Sequence, residues 1–94
     1  MKKADIIDII AEGTGLTKIE TQAVIDGFLA TVRYALQKNE HIELRGFGTF
    51  KRVFRNARTA RNPKTKEPVD VPEHFTVTFR PSSDLKKFVN KNKD

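Results

Sequence analysis

Between Gly46 and Lys66 the chain carries seven bases, Lys51, Arg52, Arg55, Arg58, Arg61, Lys64 and Lys66, and no acidic residue. Residues 1–45 hold six Lys/Arg against seven Asp/Glu, and residues 67–94 hold five of each, so the formal charge of +6 originates in this one segment. Guanidinium groups repeated along an extended strand match phosphate oxygens and can reach into a narrow groove. Scattered charges are usually just a solvated surface, but an acid-free block of this density favours a face that binds a polyanion. Within the block, Asn62-Pro63 marks a turn. Pro63 has two compatible readings: a plain turn residue, or a rigid apolar wedge of the kind that opens a base step from the minor groove. Arg61 and Asn62 beside it either meet acceptors on a groove edge or are ordinary polar loop residues.

Other chemistries find little support. His41 and His74 are the only histidines, neither in a metal-ligand motif, and there is no cysteine. Asp5, Asp8 and Glu12 fall in one stretch and read as the solvent face of a helix more readily than as paired catalytic carboxylates. Gly46-Phe47-Gly48 is superficially a phosphate loop, but Lys51 breaks the dinucleotide pattern and no helix follows, which favours a hairpin turn. Phe47, Phe50 and Phe79 are able to stack on bases; with no Trp and few apolar residues to spare, core packing is the stronger reading. No nucleophile has a base beside it. A binding protein without cofactor, metal or small-molecule substrate is expected, not an enzyme.

The elements that must position these residues follow from periodicity. Ile6, Ile7, Ile10 and Ala11 recur at helical spacing and predict a first helix capped at Gly13. Thr17 and Glu20 form a capping-box pattern that starts a second helix. Val24, Ile25, Phe28, Leu29, Val32 and Leu36 carry it to about Lys38, in a stripe broad enough to need cover from a partner subunit. After Asn39 the period becomes two: Ile42 and Leu44 alternate with His41, Glu43 and Arg45. A strand from Thr49 to Arg55 then runs into a polar ribbon, about residues 55–74, whose return limb contains Pro68 and Pro72 and must therefore be an edge. Phe75, Val77 and Phe79 alternate with Thr76, Thr78 and Arg80 as a further strand that ends at Arg80-Pro81. Ser82 or Ser83 caps a last short helix with Leu85, Phe88 and Val89 on one face, followed by a polar tail, 90–94. The ribbon is too polar to bury itself and is expected to order on its ligand.

A chain of 94 residues supports one domain, 1–94, with a thin core. Without disulfides, self-association is the expected source of further burial. No signal peptide or membrane span is apparent, and a soluble, intracellular protein is expected.

Gly46-Phe47-Gly48-Thr49-Phe50, Arg58, Arg61-Asn62-Pro63-Lys64-Thr65 and Thr78-Phe79-Arg80-Pro81 together resemble the bacterial histone-like HU and integration host factor family of DNA-bending proteins. The resemblance covers nearly the whole chain. It implies an α+β fold: a helical pair, a three-stranded antiparallel sheet with a long protruding β-ribbon arm, and a short C-terminal helix, assembled as an intertwined dimer. The two arms would wrap double-stranded DNA along the minor groove and bend it by intercalating Pro63, with bent, nicked or flexible DNA preferred. By the same matching, Arg58, Arg61 and Asn62 lie along the groove, and Arg55 and Lys64 lie near its phosphates. Arg45 and Lys3 meet the DNA backbone from the body, as does Lys86 in the last helix, while Lys51, Arg52 and Lys66 complete the basic set. A homodimer is the simplest assembly, and a heterodimer with a paralogue is the alternative. The implied role is a cytoplasmic, nucleoid-associated protein of DNA condensation. Lys66 departs from the family, which usually has Gly there, so a turn needing positive φ is less easily made. Glu73 would repel phosphate, and no DNA contact is assigned to it. From the residues alone, an RNA-binding protein or a basic hairpin docking on an acidic protein remain as rival readings.

Overall fold

The structure is a computed structural model and describes residues 1–91. It divides into two compact units, Met1–Tyr34 and Ala35–Asp94.

The first unit is helical: α1 spans Lys3–Thr14 and most of α2, Lys18–Gln37, follows. At the start of α1, the Asp5 carboxylate accepts the Lys2 backbone N–H at 2.7 Å, using one donor that the helix leaves free. The helix does not stop at Gly13. It runs one turn-edge further, to Thr14, and closes on Gly15, whose φ of 79° places it in the left-handed region while its N–H reaches the Ala11 carbonyl at 3.0 Å. The cap requires positive φ, and Gly15 supplies it; Thr14 is held in the helix by its hydroxyl donating to the Ile10 carbonyl at 2.7 Å. The Thr17–Glu20 capping box forms as the sequence predicts. Glu20 N–H donates to Thr17 Oγ1 at 3.1 Å and Thr17 N–H to Glu20 Oε1 at 3.0 Å. Two ion pairs, Lys3–Asp26 and Lys18–Asp8, tie α1 to α2. The first is about half exposed and the second more so, and each contributes at most about 1 kcal/mol.

The second unit opens with the last turn of α2, which ends in a Schellman motif. Asn39 takes φ of 62°, its N–H meets the Leu36 carbonyl, and Glu40 N–H meets the Ala35 carbonyl at 2.8 Å. Three strands then form an antiparallel sheet in the order β1-β2-β5: β1 is Ile42–Leu44, β2 Gly48–Arg55 and β5 His74–Pro81. Between β2 and β5 the chain leaves the sheet as a separate two-stranded ribbon, β3 (Arg58–Arg61) paired with β4 (Pro68–Val71). Both strands of such a ribbon are edges, which is why Pro68 is tolerated in it. Asn56-Ala57 and Pro72-Glu73 separate the last sheet pair, Arg55↔His74, from the first ribbon pair, Arg58↔Val71. The last helix, α3, spans Ser83–Val89. Ser82 caps it by accepting Leu85 N–H at 3.0 Å, and Asn90 closes its end. Residues 92–94 of the expected polar tail lie outside the described residues.

Register fixes which side chains share a face, because residues directly opposite in an antiparallel pair project to the same side. Ile42, Leu44, Phe50, Phe54, Phe75, Val77 and Phe79 fall on one face of the sheet, and Thr49, Lys51, Arg55, His74, Thr76, Thr78 and Arg80 on the other. Gly48 is obligatory at the start of β2, since a Cβ there would sit 2.5 Å from the Phe79 ring and 2.7 Å from the Arg80 carbonyl oxygen.

The core of a single chain is small. Among the described residues the buried apolar side chains are Ile7, Ala11 and Leu36, with Thr21 the most enclosed polar one. Large apolar groups are left in solvent in both units: Ile19 is 83% exposed, Phe75 58% and Phe88 71%. The apolar face of the sheet is thus largely uncovered. The α+β order expected from the sequence, helix pair, three-stranded sheet, ribbon and short final helix, is the one observed.

Candidate nucleic-acid interface

Turn and sheet place the body residues. Leu44 accepts Phe47 N–H at 2.9 Å, closing a tight turn with Arg45 and Gly46 at its centre and Gly46 at φ of 81°. The turn therefore starts one residue ahead of Gly46-Phe47-Gly48 and puts Arg45 at an exposed corner instead of in a strand. Arg45, Lys51, Arg80, Ser82, Ser83 and Lys86 then line one side of a hollow of about 600 Å³, with His41 and Glu43 also on its wall. Three of the predicted contacts, Arg45, Lys51 and Lys86, come together here. Arg80 was not among them. Its place follows from the alternation Thr76, Thr78, Arg80 once Gly48↔Pro81 sets Arg80 opposite Thr49.

Arg52 is placed apart from the other bases of the block. It is a base in the basic block, but its position alternates with Lys51 and Arg55, so it belongs to the apolar face of the sheet. Its Nη1 donates to the Gln37 carbonyl at 3.1 Å, its guanidinium lies 4.0 Å from the Phe75 ring centroid, and its Nε is buried without a partner. The group caps the end of α2, where a cation meets carbonyls that no helical N–H satisfies. The aromatic side chains are on that face too. Phe79 lies 4.8 Å from Phe50 and 5.4 Å from Phe47 between ring centroids, so it packs against both, while Phe47 and Phe79 stay exposed in the single chain.

On the ribbon, Arg58↔Val71 and Arg61↔Pro68 are three positions apart, and the two arginines project to opposite faces. A flat surface would meet only one of them; a groove with two walls can meet both. Arg55 and Arg58 flank a second hollow at the base of the ribbon with His74, whose Nδ1 is 2.9 Å from the Pro72 carbonyl. Glu67 and Asp70 are on the return limb and exposed, as is Glu73 at its end. Among the described residues, no base of 46–66 is within ion-pair distance of a carboxylate, so this charge is uncompensated.

The tip, residues 62–66, is closed by its own hydrogen bonds. Asn62 N–H donates to the Glu67 carbonyl at 3.0 Å and Lys66 N–H to the Asn62 carbonyl at 2.7 Å. Asn62 Oδ1 accepts from Lys64 N–H at 2.9 Å and Thr65 N–H at 3.4 Å. Arg61 Nη1 reaches the Lys66 carbonyl at 3.2 Å. Lys66 takes φ of 60°, so the left-handed turn is made despite its Cβ. Pro63 and Lys64 are exposed at the end. Lys3, in the helical unit, is paired with Asp26.

A family model described as bacterial DNA-binding protein matches residues 1–90. The chain belongs to this family. HU and integration host factor are names its relatives carry. HU of Thermus thermophilus is 42% identical over 89 residues, spanning 95% of this chain and 92% of that protein. The integration host factor alpha subunit of Thioalkalivibrio sulfidiphilus is 40% identical over 86 residues, spanning 92% of this chain and 87% of that one. Among solved structures, Anabaena HU in a cocrystal with DNA superposes with a TM-score of 0.87 at 32% identity, covering 98% of this chain and 100% of the other. HU-family proteins are structural DNA-binding proteins and not enzymes. No described helix is long and apolar enough to cross a membrane.

Proposed function

We propose that this chain acts as an intertwined dimer that binds duplex DNA with its ribbons in the minor groove and bends it by inserting Pro63 between base pairs. The observation that carries this reading is the ribbon itself: arginines on both faces, an exposed proline at the end of a closed tip, and no carboxylate within ion-pair distance of its bases among the described residues. Phosphate neutralisation would supply salt-sensitive affinity, and wedge insertion would trade unstacking for a bend that brings more duplex onto the body. Arg58, Arg61 and Asn62 serve the groove. Arg55, Lys64 and Lys66 serve its phosphates, and Arg45, Lys51, Lys86 and Lys3 serve the backbone at the body; Arg52 has no place in the set. The uncovered apolar sheet face and, separately, the exposed α2 pair Val24 and Phe28 are surfaces that a second copy, or a paralogue, would bury. Flexible, nicked or pre-bent DNA should be favoured, because deformation energy enters the affinity. The role that follows is organising and condensing nucleoid DNA in the bacterial cytoplasm.

The test is end-to-end energy transfer on a doubly labelled duplex of about 30 base pairs, titrated with wild type and Pro63→Ala at several salt concentrations. Wild type should bring the ends together, and Pro63→Ala should bind but bend less. Binding without bending would reduce the arm to an electrostatic clamp. Stronger binding to structured RNA than to duplex DNA would overturn the proposal.

A further inference from the structure

The polar functions of Asn62 are almost all committed inside the tip. Its backbone N–H goes to Glu67 and its carbonyl oxygen to Lys66 N–H, while Oδ1 takes two backbone donors, Lys64 N–H and Thr65 N–H. Those two partners can only donate, so the side-chain atom facing them must be the oxygen. A flipped amide would oppose donor to donor at 2.9 Å. What remains free is the Nδ2 amino group. Arg61 beside it is likewise donor-only, with Nη1 already on the Lys66 carbonyl.

We infer that Asn62 is a specificity-determining residue that the tip locks into a donor-only orientation, and that the protein therefore discriminates against guanine at base pairs flanking the wedge. The inference rests on the minor-groove mode proposed above. The minor-groove edge of an A·T pair shows only acceptors, whereas a G·C pair adds the guanine 2-amino donor. Nδ2 faces only acceptors in the first case; in the second the 2-amino donor stands between the two remaining acceptors and opposes it. An amide free to rotate would accommodate either edge by turning over, but here rotation would break both bonds to Lys64 and Thr65. Lys66, in its left-handed conformation, closes the turn that holds those two N–H groups convergent on Oδ1.

The experiment uses duplexes with one mismatched step, which fixes where the wedge enters because unstacking is easiest there. The flanking pairs are either G·C or inosine·C, which lacks only the 2-amino group. Wild type should bind the inosine duplex about three- to ten-fold more tightly, the range expected for one net hydrogen bond. Asn62→Ala should lose most of that ratio. Asn62→Asp keeps an acceptor on the Lys64 and Thr65 amides but turns an oxygen outward; it should weaken both complexes and reverse the ratio in favour of G·C. All proteins meet the same two duplexes, so differences in DNA stiffness cancel between them. Amide exchange in the free proteins should show Lys64 and Thr65 protected in wild type and Asn62→Asp, and unprotected in Asn62→Ala. Equal ratios in wild type and Asn62→Asp, or unprotected amides in wild type, would overturn the inference. If Pro63→Ala bends DNA as wild type does, it is the proposed wedge that fails; equal ratios alongside Pro63-dependent bending refute the role of Asn62 alone.

Discussion

Lys51 and Arg52 are chain neighbours of the same charge, and β2 sends them to opposite faces of the sheet, so replacing each by Met should separate DNA binding from folding. Lys51 lines the basic hollow with Arg45, Arg80 and Lys86 and is exposed. Lys51→Met should change stability by no more than about 0.5 kcal/mol. Each phosphate contact contributes about 0.9 to the slope of log K against log salt, so losing one per subunit should flatten the slope by roughly 1.8 in a dimer. Arg52→Met keeps the aliphatic stem but removes the bond to the Gln37 carbonyl and the contact with the Phe75 ring. A hydrogen bond from a charged donor is worth about 1.5–3 kcal/mol and a partly exposed cation–π contact about 0.5–1 kcal/mol. Relief of the unpartnered Nε offsets part of this, leaving a net loss of about 1–2 kcal/mol. At about 4–8 °C per kcal/mol for a chain of this size, Tm should fall by roughly 5–15 °C with the salt slope unchanged. Thermal unfolding by circular dichroism and anisotropy titrations at four salt concentrations read the two quantities. Should Arg52→Met flatten the slope as much as Lys51→Met does, the assignment of faces is wrong.

Gly48→Ala should destabilise by about 2–3 kcal/mol in a thermal melt, because its Cβ would meet the Phe79 ring and, less able to yield, the Arg80 carbonyl. Gly13→Ala should stabilise by up to about 1 kcal/mol, since Gly13 is inside α1 with open space around it. Gly15→Ala, at φ of 79°, should instead cost about 1–2 kcal/mol, and a reversed order of melting temperatures would contradict the cap. Glu20 has its pKa lowered from the ordinary glutamate value by the Thr17 backbone hydrogen bond first and the Thr17 hydroxyl second, with slight desolvation opposing. A depressed folded-state pKa means its stabilisation is present above the ordinary glutamate range and lost as pH falls through the lowered value. Melting temperatures of wild type and Glu20→Gln should therefore converge on acidification; parallel curves would refute the linkage.

Much of this was legible because it is local. The capping box at Thr17 and Glu20, the change of period after Asn39 and the proline-bearing return limb each depend on a few adjacent residues. Gly13 and Gly15 offer the same cap signal in sequence, and the helix closes on the second, with Thr14 bonded back to Ile10. Charge groups Arg52 with the other bases, whereas its parity with Phe50 and Phe54 assigns it to the apolar face. Arg80 needed the pairing of Gly48 with Pro81, a contact distant in sequence. Asn62-Pro63 signals a side-chain turn to the amide two residues on, but not the second amide, Thr65, that converges on the same oxygen.

The interruption of the ladder between Arg55↔His74 and Arg58↔Val71 occurs at the same level on both limbs. Cooperative unfolding passes through paired backbone and packed side chains, and here the pairing stops on both sides at once. With no ladder across that level, opening of the ribbon need not break any pair of the three-stranded sheet. Sequence change is partitioned in the same way. If the ribbon holds DNA as proposed, substitutions from residue 57 to residue 72 would alter that grip while leaving the pairing of the three-stranded sheet in place.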